Sequence, residues 1–521
     1  MARRAQPVTP SEGMGAAVAV LVLLAVLGPL SAVLWRAEGV TALGPPDLSA
    51  IRFTIWQAIL SALFSVALAV PVARALARRR FAGRATLIEL MGAPFILPVI
   101  VAVLGLLAIF GRRGVLNAGL GAVGLPGIEI YGLHGVVLAH VFFNLPLAVR
   151  LLLQGWLAIP AERFRLAATL GFTSRDIARH MEWPMLRTVA PGAFLVIFLI
   201  CTTSFAVALI LGGGPRATTV ELAIYQAFRY EFDLGRAALL GLVQVAICIV
   251  AGAMVLWVRV PGGMGTGLDR PVERYDGQGR LTRFVDGTAI ALAALFLLLP
   301  ILAVLLKGAA GLWALPGTVW QAALRSILLS LATAGVAVTL SLPMAMLIAK
   351  GRVKGLLETI GALTIAVSPL VIGTGLFLML RPYMAPQSSA LPVTGLVNAL
   401  AALPFLLRAL VPAIEEAEAG YGRLAESLGM SGWQRMRHVL LPRIRRALGF
   451  SAGLAAAMSM GDLGVITLFA APQQGTLPLE MFRLMGSFRT HDAQAAAVLL
   501  LALSLGLFWI FDRGGRVNAA T

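Results

Sequence analysis

Long apolar runs separated by short polar connections recur from one end of the chain to the other. They fall at 14–35, 54–77, 87–110, 133–157, 188–211, 235–258, 286–306, 321–349, 356–380, 394–413, 446–470 and 491–511. A helix needs about 20 apolar residues to cross the hydrocarbon of a bilayer. The pattern therefore predicts an all-α polytopic membrane protein of about twelve transmembrane helices. The first run follows Arg3 and Arg4, as a secretory signal would, but it is long and no small-residue cleavage site follows it. It reads as an uncleaved first span. The run at 394–413 is the weakest of the set. Residues 259–283 are rich in Gly and Arg and hold no apolar run, which marks a linker. The expected organisation is a first half of about six spans at 1–258, a cytoplasmic linker at 259–283, and a second half of about six spans at 284–521.

Composition excludes an ordinary soluble enzyme. Of the 521 residues, 59% are hydrophobic and 13% are charged, against roughly 25% charged in a soluble domain. The formal charge of +18 does not point to nucleic acid, because the basic residues sit in short connections between apolar runs. If both termini share one side, seven segments lie there: the N-terminus, 74–86, 150–187, 259–283, 350–354, 408–446 and the C-terminus. These hold 30 of the 42 Lys and Arg and leave 12 elsewhere. Basic loops favour the cytoplasm, so both termini are expected there. Cys201 and Cys248 lie inside apolar runs and form neither a disulfide pattern nor a metal cluster.

The chain also repeats itself. Residues 165–184 read RLAATLGFTSRDIARHMEWP and residues 423–442 read RLAESLGMSGWQRMRHVLLP. One spacing of 258 positions maps Gly171 onto Gly429, Pro184 onto Pro442, Pro146 onto Pro404 and Ser204 onto Asp462. Two tandem copies of one membrane unit follow, related by an axis along the membrane normal. Both repeated segments lie in strongly basic connections. Each predicts a short helix, at Arg165–Leu170 and Arg423–Leu428, ended by a glycine in the left-handed region. A second amphipathic piece then runs to Pro184 or Pro442. An ordinary loop lying on lipid headgroups would share these features once. Its duplication at a fixed spacing favours an element that docks on a partner.

Both segments resemble the so-called EAA motif of ATP-binding-cassette importer permeases. Ala167, Gly171 and Pro184 match it in the first copy, and Ala425, Gly429 and Pro442 in the second. Arg165 and Arg423 stand where the family carries an acidic residue, and Met181 and Trp183 replace an aliphatic pair. Longer stretches resemble the fused permeases of bacterial thiamine and thiamine pyrophosphate importers. They are WQAILSALFSVALAVPVARALARRRFAGR at 56–84, YGLHGVVLAHVFFNLPLAVRLLLQ at 131–154, LGGGPRATTVELAIYQAF at 211–228 and MGDLGVITLF at 460–469. The resemblance implies a type I importer fold in an inner membrane, with coupling loops that seat on an ATP-binding subunit. It implies a dimer of that subunit, a periplasmic substrate-binding protein, and thiamine or its phosphates as cargo. Permeases for ferric iron or polyamine share the fused architecture and stand as alternatives. A proton-coupled secondary transporter is the rival from another class, and it would have no use for paired docking loops.

Chemistry along the chain is sparse. No phosphate-binding G-x-x-x-x-G-K-[ST] loop occurs, and Gly212-Gly213-Gly214 is followed by Pro215 and Arg216. ATP is thus expected to be used by a partner, with no cofactor held by this chain. Asp462 and its repeat mate Ser204 are candidates for the substrate path, since a carboxylate inside a span costs about 2.5–3.5 kcal/mol and thiamine is a cation. A helix-packing hydrogen bond of Asp462 weighs equally. His140 and Asn144 share one helical face and read as a structural pairing between helices. Glu221 and Glu480, with Arg229, Glu231, Asp233, Arg483, Arg489 and Asp492 nearby, read as loop charges on the outer side.

The charge asymmetry generates a direct test. Single cysteines placed in 259–283 should resist an impermeant thiol reagent in intact spheroplasts and react only after lysis. Labelling from outside would invert the topology.

Overall fold

The computed structural model describes residues 10–37, 42–92, 96–212, 214, 217–257, 274–351, 354–430, 432–471 and 474–516. No strand occurs among them. In chain order the helices begin with α1 (Pro10–Ala37), α2 (Pro45–Arg78), α3 (Arg84–Leu90), α4 (Val99–Phe110), α5 (Val115–Ala122) and α6 (Leu133–Leu157). Next come α7 (Ala161–Thr169), α8 (Ser174–Ile177), α9 (Trp183–Thr202), α10 (Phe205–Leu211), α11 (Val220–Arg229) and α12 (Leu234–Trp257). After the linker follow α13 (Arg280–Gly308), α14 (Gly317–Ala349), α15 (Lys354–Ala366), α16 (Pro369–Leu380) and α17 (Pro386–Ser427). The chain ends with α18 (Gly432–Arg435), α19 (Leu441–Met460), α20 (Ile466–Phe469), α21 (Leu477–Gly486) and α22 (Thr490–Arg516).

Among the described residues, ten helices are long and apolar enough to cross a membrane, where the apolar runs suggested about twelve. The difference lies in two broken runs. The run at 356–380 divides into α15 and α16 at Ser368 and Pro369, because proline disfavours the helical region for the residue before it. The run at 446–470 divides into α19 and α20 around Asp462. The run at 394–413, weakest in the sequence, falls inside α17, the longest helix. Most of the linker, residues 259–273, lies outside the described residues, as do Gly213, Pro215 and Arg216.

The described chain forms two compact units that do not follow the sequential division at the linker. One comprises Met1–Thr41, Tyr225–Val245 and Leu312–Thr521; the other comprises Ala42–Ile224 and Ala246–Gly311. In the first unit α1 packs on α14 and α16, while α17, α19 and α22 complete the helix layer. In the second unit α2, α6 and α9 pack together and α13 lies on α2 and α4. The leading helix of each half, α1 or α13, is thus built into a unit whose other long helices come mainly from the opposite half.

Equivalent close approaches hold these two leading helices. A Cβ on Gly375 of α16 would stand 2.2 Å from the Pro29 carbonyl oxygen of α1. A Cβ on Gly105 of α4 would stand 2.5 Å from the Pro300 carbonyl oxygen of α13. Only glycine lets backbone meet backbone at that separation, as at the small-residue crossings of membrane helices. Gly105→Ala and Gly375→Ala should each cost about 1–3 kcal/mol through forced displacement of the partner helix. Thermal unfolding of the purified chain checks this, and unchanged midpoints would contradict it.

Candidate docking loops and membrane path

The first repeated loop starts where Ile159 and Pro160 interrupt the helix and let α7 begin afresh. Its last turn closes with Phe172 N–H donating to the Ala167 carbonyl at 2.9 Å and Gly171 N–H donating to the Ala168 carbonyl at 3.1 Å. Gly171 has φ +68°, so this is a Schellman ending with glycine in the left-handed position. The second loop repeats it. Met430 N–H donates to the Ala425 carbonyl at 2.9 Å, Gly429 N–H donates to the Glu426 carbonyl at 3.0 Å, and Gly429 has φ +66°. Glu418 stands 258 positions after Pro160. With no proline there, α17 runs unbroken from the membrane run into the second loop.

Beyond each glycine the chain makes one short helix, α8 or α18, and then a π-helical turn at Ala178–Glu182 or Met436–Leu440. Trp183 N–H reaches back to the Ala178 carbonyl, and Leu441 N–H to that of Met436. Each wide turn ends just before Pro184 or Pro442, whose rings would clash with the preceding turn of a tight helix. Ala167 and Ala425 are buried. Arg165, Arg423, Pro184 and Pro442 are exposed. Leu166 with Leu170, and Leu424 with Leu428, stand exposed as i,i+4 pairs, so each loop presents an uncovered apolar ridge.

The two loops are braced differently. In the first, Glu182 accepts from Arg274 at 2.7 Å and from Trp156 Nε1 at 3.2 Å, and pairs with Arg74 at 2.6 Å. Asp276 accepts from Arg274 at 2.8 Å and pairs with Arg78 at 2.9 Å. Tyr275 donates its hydroxyl to the Phe172 carbonyl at 3.0 Å, and Ser174 donates to the Asp276 carbonyl at 3.2 Å. Burial alone would raise the Asp276 carboxyl, but the Arg274 and Arg78 guanidinium groups outweigh it and hold it below the usual carboxylate range. Burial likewise opposes the charge of Arg274, and Asp276 and Glu182 more than restore it. In the second loop the position of Glu182 is taken by buried Leu440. There Arg435 bonds Glu418 and approaches Glu426 at 3.6 Å. This linker clasp escapes a sequence reading, since Arg274 reaches Glu182 across 92 positions and Tyr275 reaches Phe172 across 103.

Inside the helices a polar cluster is duplicated as well. Ser61 of α2 meets His140 Nδ1 of α6 at 3.2 Å, and Asn144 Nδ2 lies 3.4 Å from Cys201 Sγ of α9. In the other unit Thr333 of α14 meets Ser459 of α19 at 3.0 Å, and Asn398 of α17 donates to Ser459 at 3.3 Å. The spacing of 258 takes His140 to Asn398 and Cys201 to Ser459. His140 is therefore a pairing residue between helices, and the repeat offset was the signal for its partner set.

Ser204 and Asp462 lie at breaks rather than within continuous helices. Ser204 separates α9 from α10 with φ −96° and ψ 86°. Asp462 Oδ1 accepts from Gly464 N–H at 3.0 Å, while Oδ2 is buried without a hydrogen-bond partner among the described residues. The two residues belong to different compact units. Glu221 is not a loop charge: it lies in α11 and is 2% exposed. Glu480 lies in α21 beside Arg483.

Helical spans, a duplicated pair of glycine-ended loops and interrupted helices define a multi-pass membrane transport component. Residues 337–514 match the family described as "Binding-protein-dependent transport system inner membrane component". The thiamine transport system permease protein of Escherichia coli (strain K12) is 39% identical, with 100% of each chain covered. Its counterpart in Brucella abortus (strain 2308) is 40% identical over 89% of this chain and 87% of that one. That of Haemophilus influenzae is 34% identical over 88% and 87%. The chain belongs to the family of ABC importer permeases that these transport system permease proteins represent, and is a transport protein rather than an enzyme.

The left-handed glycines give a local prediction. Gly171→Val and Gly429→Val should each weaken their loop by about 1–2 kcal/mol, the cost of a Cβ in that region. An added Cβ at either position meets nothing within 4 Å beyond its chain neighbours, so the cost is local backbone strain. Hydrogen exchange should accelerate at Leu170–Phe172 or Leu428–Met430 and stay unchanged elsewhere.

Proposed function

We propose that this chain is the bacterial inner-membrane permease of a binding-protein-dependent importer for thiamine and its phosphates. The observation that carries the reading is the pair of glycine-ended loops at one spacing, in a chain 39% identical over its whole length to a thiamine permease. Both loops and both termini face the cytoplasm. A separate ATP-binding subunit, present as a dimer, seats on the exposed Leu166/Leu170 and Leu424/Leu428 ridges. Arg165 and Arg423 steer it, and Ala167, Ala425, Pro184 and Pro442 fix the shape of each loop. A periplasmic binding protein delivers the cargo on the opposite side. The two repeats at 1–258 and 284–521 act as pseudo-equivalent halves about one path.

ATP draws the docked subunits together and pulls both loops inward, which opens the path outward. Hydrolysis resets it. The permease supplies only the difference in binding between the two states. Ser204 and Asp462 line that path. The buried Oδ2 of Asp462 offers an anionic acceptor to the cationic cargo, a group costly to keep in a membrane unless it meets water, a cation or a donor.

Reconstituted complexes with binding protein test both parts. Asp462→Asn should lower uptake of labelled thiamine about tenfold, equivalent to about 1.4 kcal/mol, while assembly with the ATP-binding subunit persists. Poor assembly with normal uptake per assembled complex would assign Asp462 to packing instead.

A further inference from the structure

A cavity of about 1290 Å³ opens where α2 ends and α13 begins, with α7 on its third side. Among the described residues its charged lining is Arg78, Arg79, Arg80, Arg165, Arg274 and Arg283, with no acidic side chain. The nearby carboxylates Glu182, Asp276 and Asp286 are already engaged by Arg74, Arg78, Arg79 and Arg274 behind the wall. Four guanidinium groups thus share these three carboxylates. Arg78 and Arg274 have side chains only 3% and 2% exposed, yet Arg78 Nε and Arg274 Nη1 find no hydrogen-bond partner among the described residues. A buried donor left unpaired is costly, and donors of this geometry match phosphate oxygens.

Apart from Tyr275 and Gln278, the rest of the wall is apolar. Ile290 and Ala291 carry it along α13, and Phe81 and Phe164 close its flank. Gly287 also lines it, and a Cβ there would meet nothing within 4 Å. Both α2 and α13 are long and apolar enough to cross a membrane. The cavity therefore joins a cationic end to an apolar face running along a spanning helix, which is the shape of a headgroup with its acyl chain.

We propose that this cavity binds a phosphate-bearing anion, and that the anion is the headgroup of an anionic phospholipid whose acyl chain lies over Gly287. Arg165 stands on α7, so the bound lipid ties the first repeated loop to α2 and α13. The proposal rests on the spans and is independent of the cargo.

The test uses the full chain, delipidated in detergent and titrated separately with phosphatidylglycerol, phosphatidylcholine, inorganic phosphate and pyrophosphate. Thermal unfolding reports binding. Phosphatidylglycerol should raise the midpoint saturably and phosphatidylcholine should not. The exposed-residue variants Arg80→Glu and Arg283→Glu should move half-saturation about tenfold or more. Arg52→Glu, an exposed arginine near the other end of α2, should leave it in place. Gly287→Leu should weaken the lipid response and spare any response to phosphate. Stabilisation by phosphate or pyrophosphate with none from phosphatidylglycerol would keep the phosphate chemistry and overturn the lipid as its source. No response to any anion, or an equal loss in Arg52→Glu, overturns the site.

Discussion

Hydrocarbon offers no partner to a backbone amide, so every interruption of a spanning helix must be closed by the protein itself. The long helices α2 and α14 do this in the same way. Thr54 of α2 accepts from Val220 N–H at 2.9 Å, at the start of α11. Ser326 of α14 accepts from Leu477 N–H at 2.8 Å, at the start of α21. Gln57 of α2 donates to the Cys201 carbonyl at 2.9 Å, near the end of α9, and Ser368 accepts from Leu370 N–H at 3.2 Å where α15 gives way to α16. Buried hydroxyls and an amide on α2 and α14 therefore support breaks in their neighbours. Gln57 supports the break near Ser204 in this way, while at Asp462 the carboxylate itself accepts from Gly464 N–H. Such support also accounts for polar side chains that are fully buried yet belong to no catalytic set.

The two copies share a plan and differ in bracing. Pro160 cuts the first loop off from α6, and the loop then depends on the clasp from Arg274, Tyr275 and Asp276. Without a proline at that position, α17 carries the second loop rigidly on one helix, and Leu440 replaces the charged anchor. The first loop is thus held by buried ion pairs to the linker, and the second by continuous backbone with the part-exposed Arg435–Glu418 pair. A buried ion pair is sensitive to the loss of either partner, whereas a helix yields only when its hydrogen bonds do.

Much of this architecture was legible in the sequence. Glycine at 171 and 429 could end a helix in only one common way, and φ values of +68° and +66° bear that out. Apolar runs of spanning length located ten of the helices that can cross a membrane. The division of 446–470 around Asp462 was hidden, because apolarity continues across a break that side-chain hydrogen bonds sustain. The π-helical turns were equally hidden, since Pro184 and Pro442 announce an irregularity without specifying its kind. Glu221 looked like a loop charge because a buried carboxylate on a short helix has no local signature. The partners of α1 and α13 could not be read at all: an apolar face records that it is buried, not against what.

That exchange of leading helices has a consequence for synthesis. The ribosome finishes α1 at Ala37, but α14 and α16 end only at Ala349 and Leu380. At about 5–20 residues per second, α1 waits roughly 15–70 s for the helices it will pack against. During that time the Pro29 carbonyl has no Gly375 beside it. The second unit meets the same delay in milder form, because α13 follows α4 by fewer residues. A single continuous chain keeps the waiting helix tethered near its eventual partners. Severed after α12, the same segments would have to find one another by diffusion in the plane of the bilayer, and α1 would become a free surface open to any other hydrophobic helix.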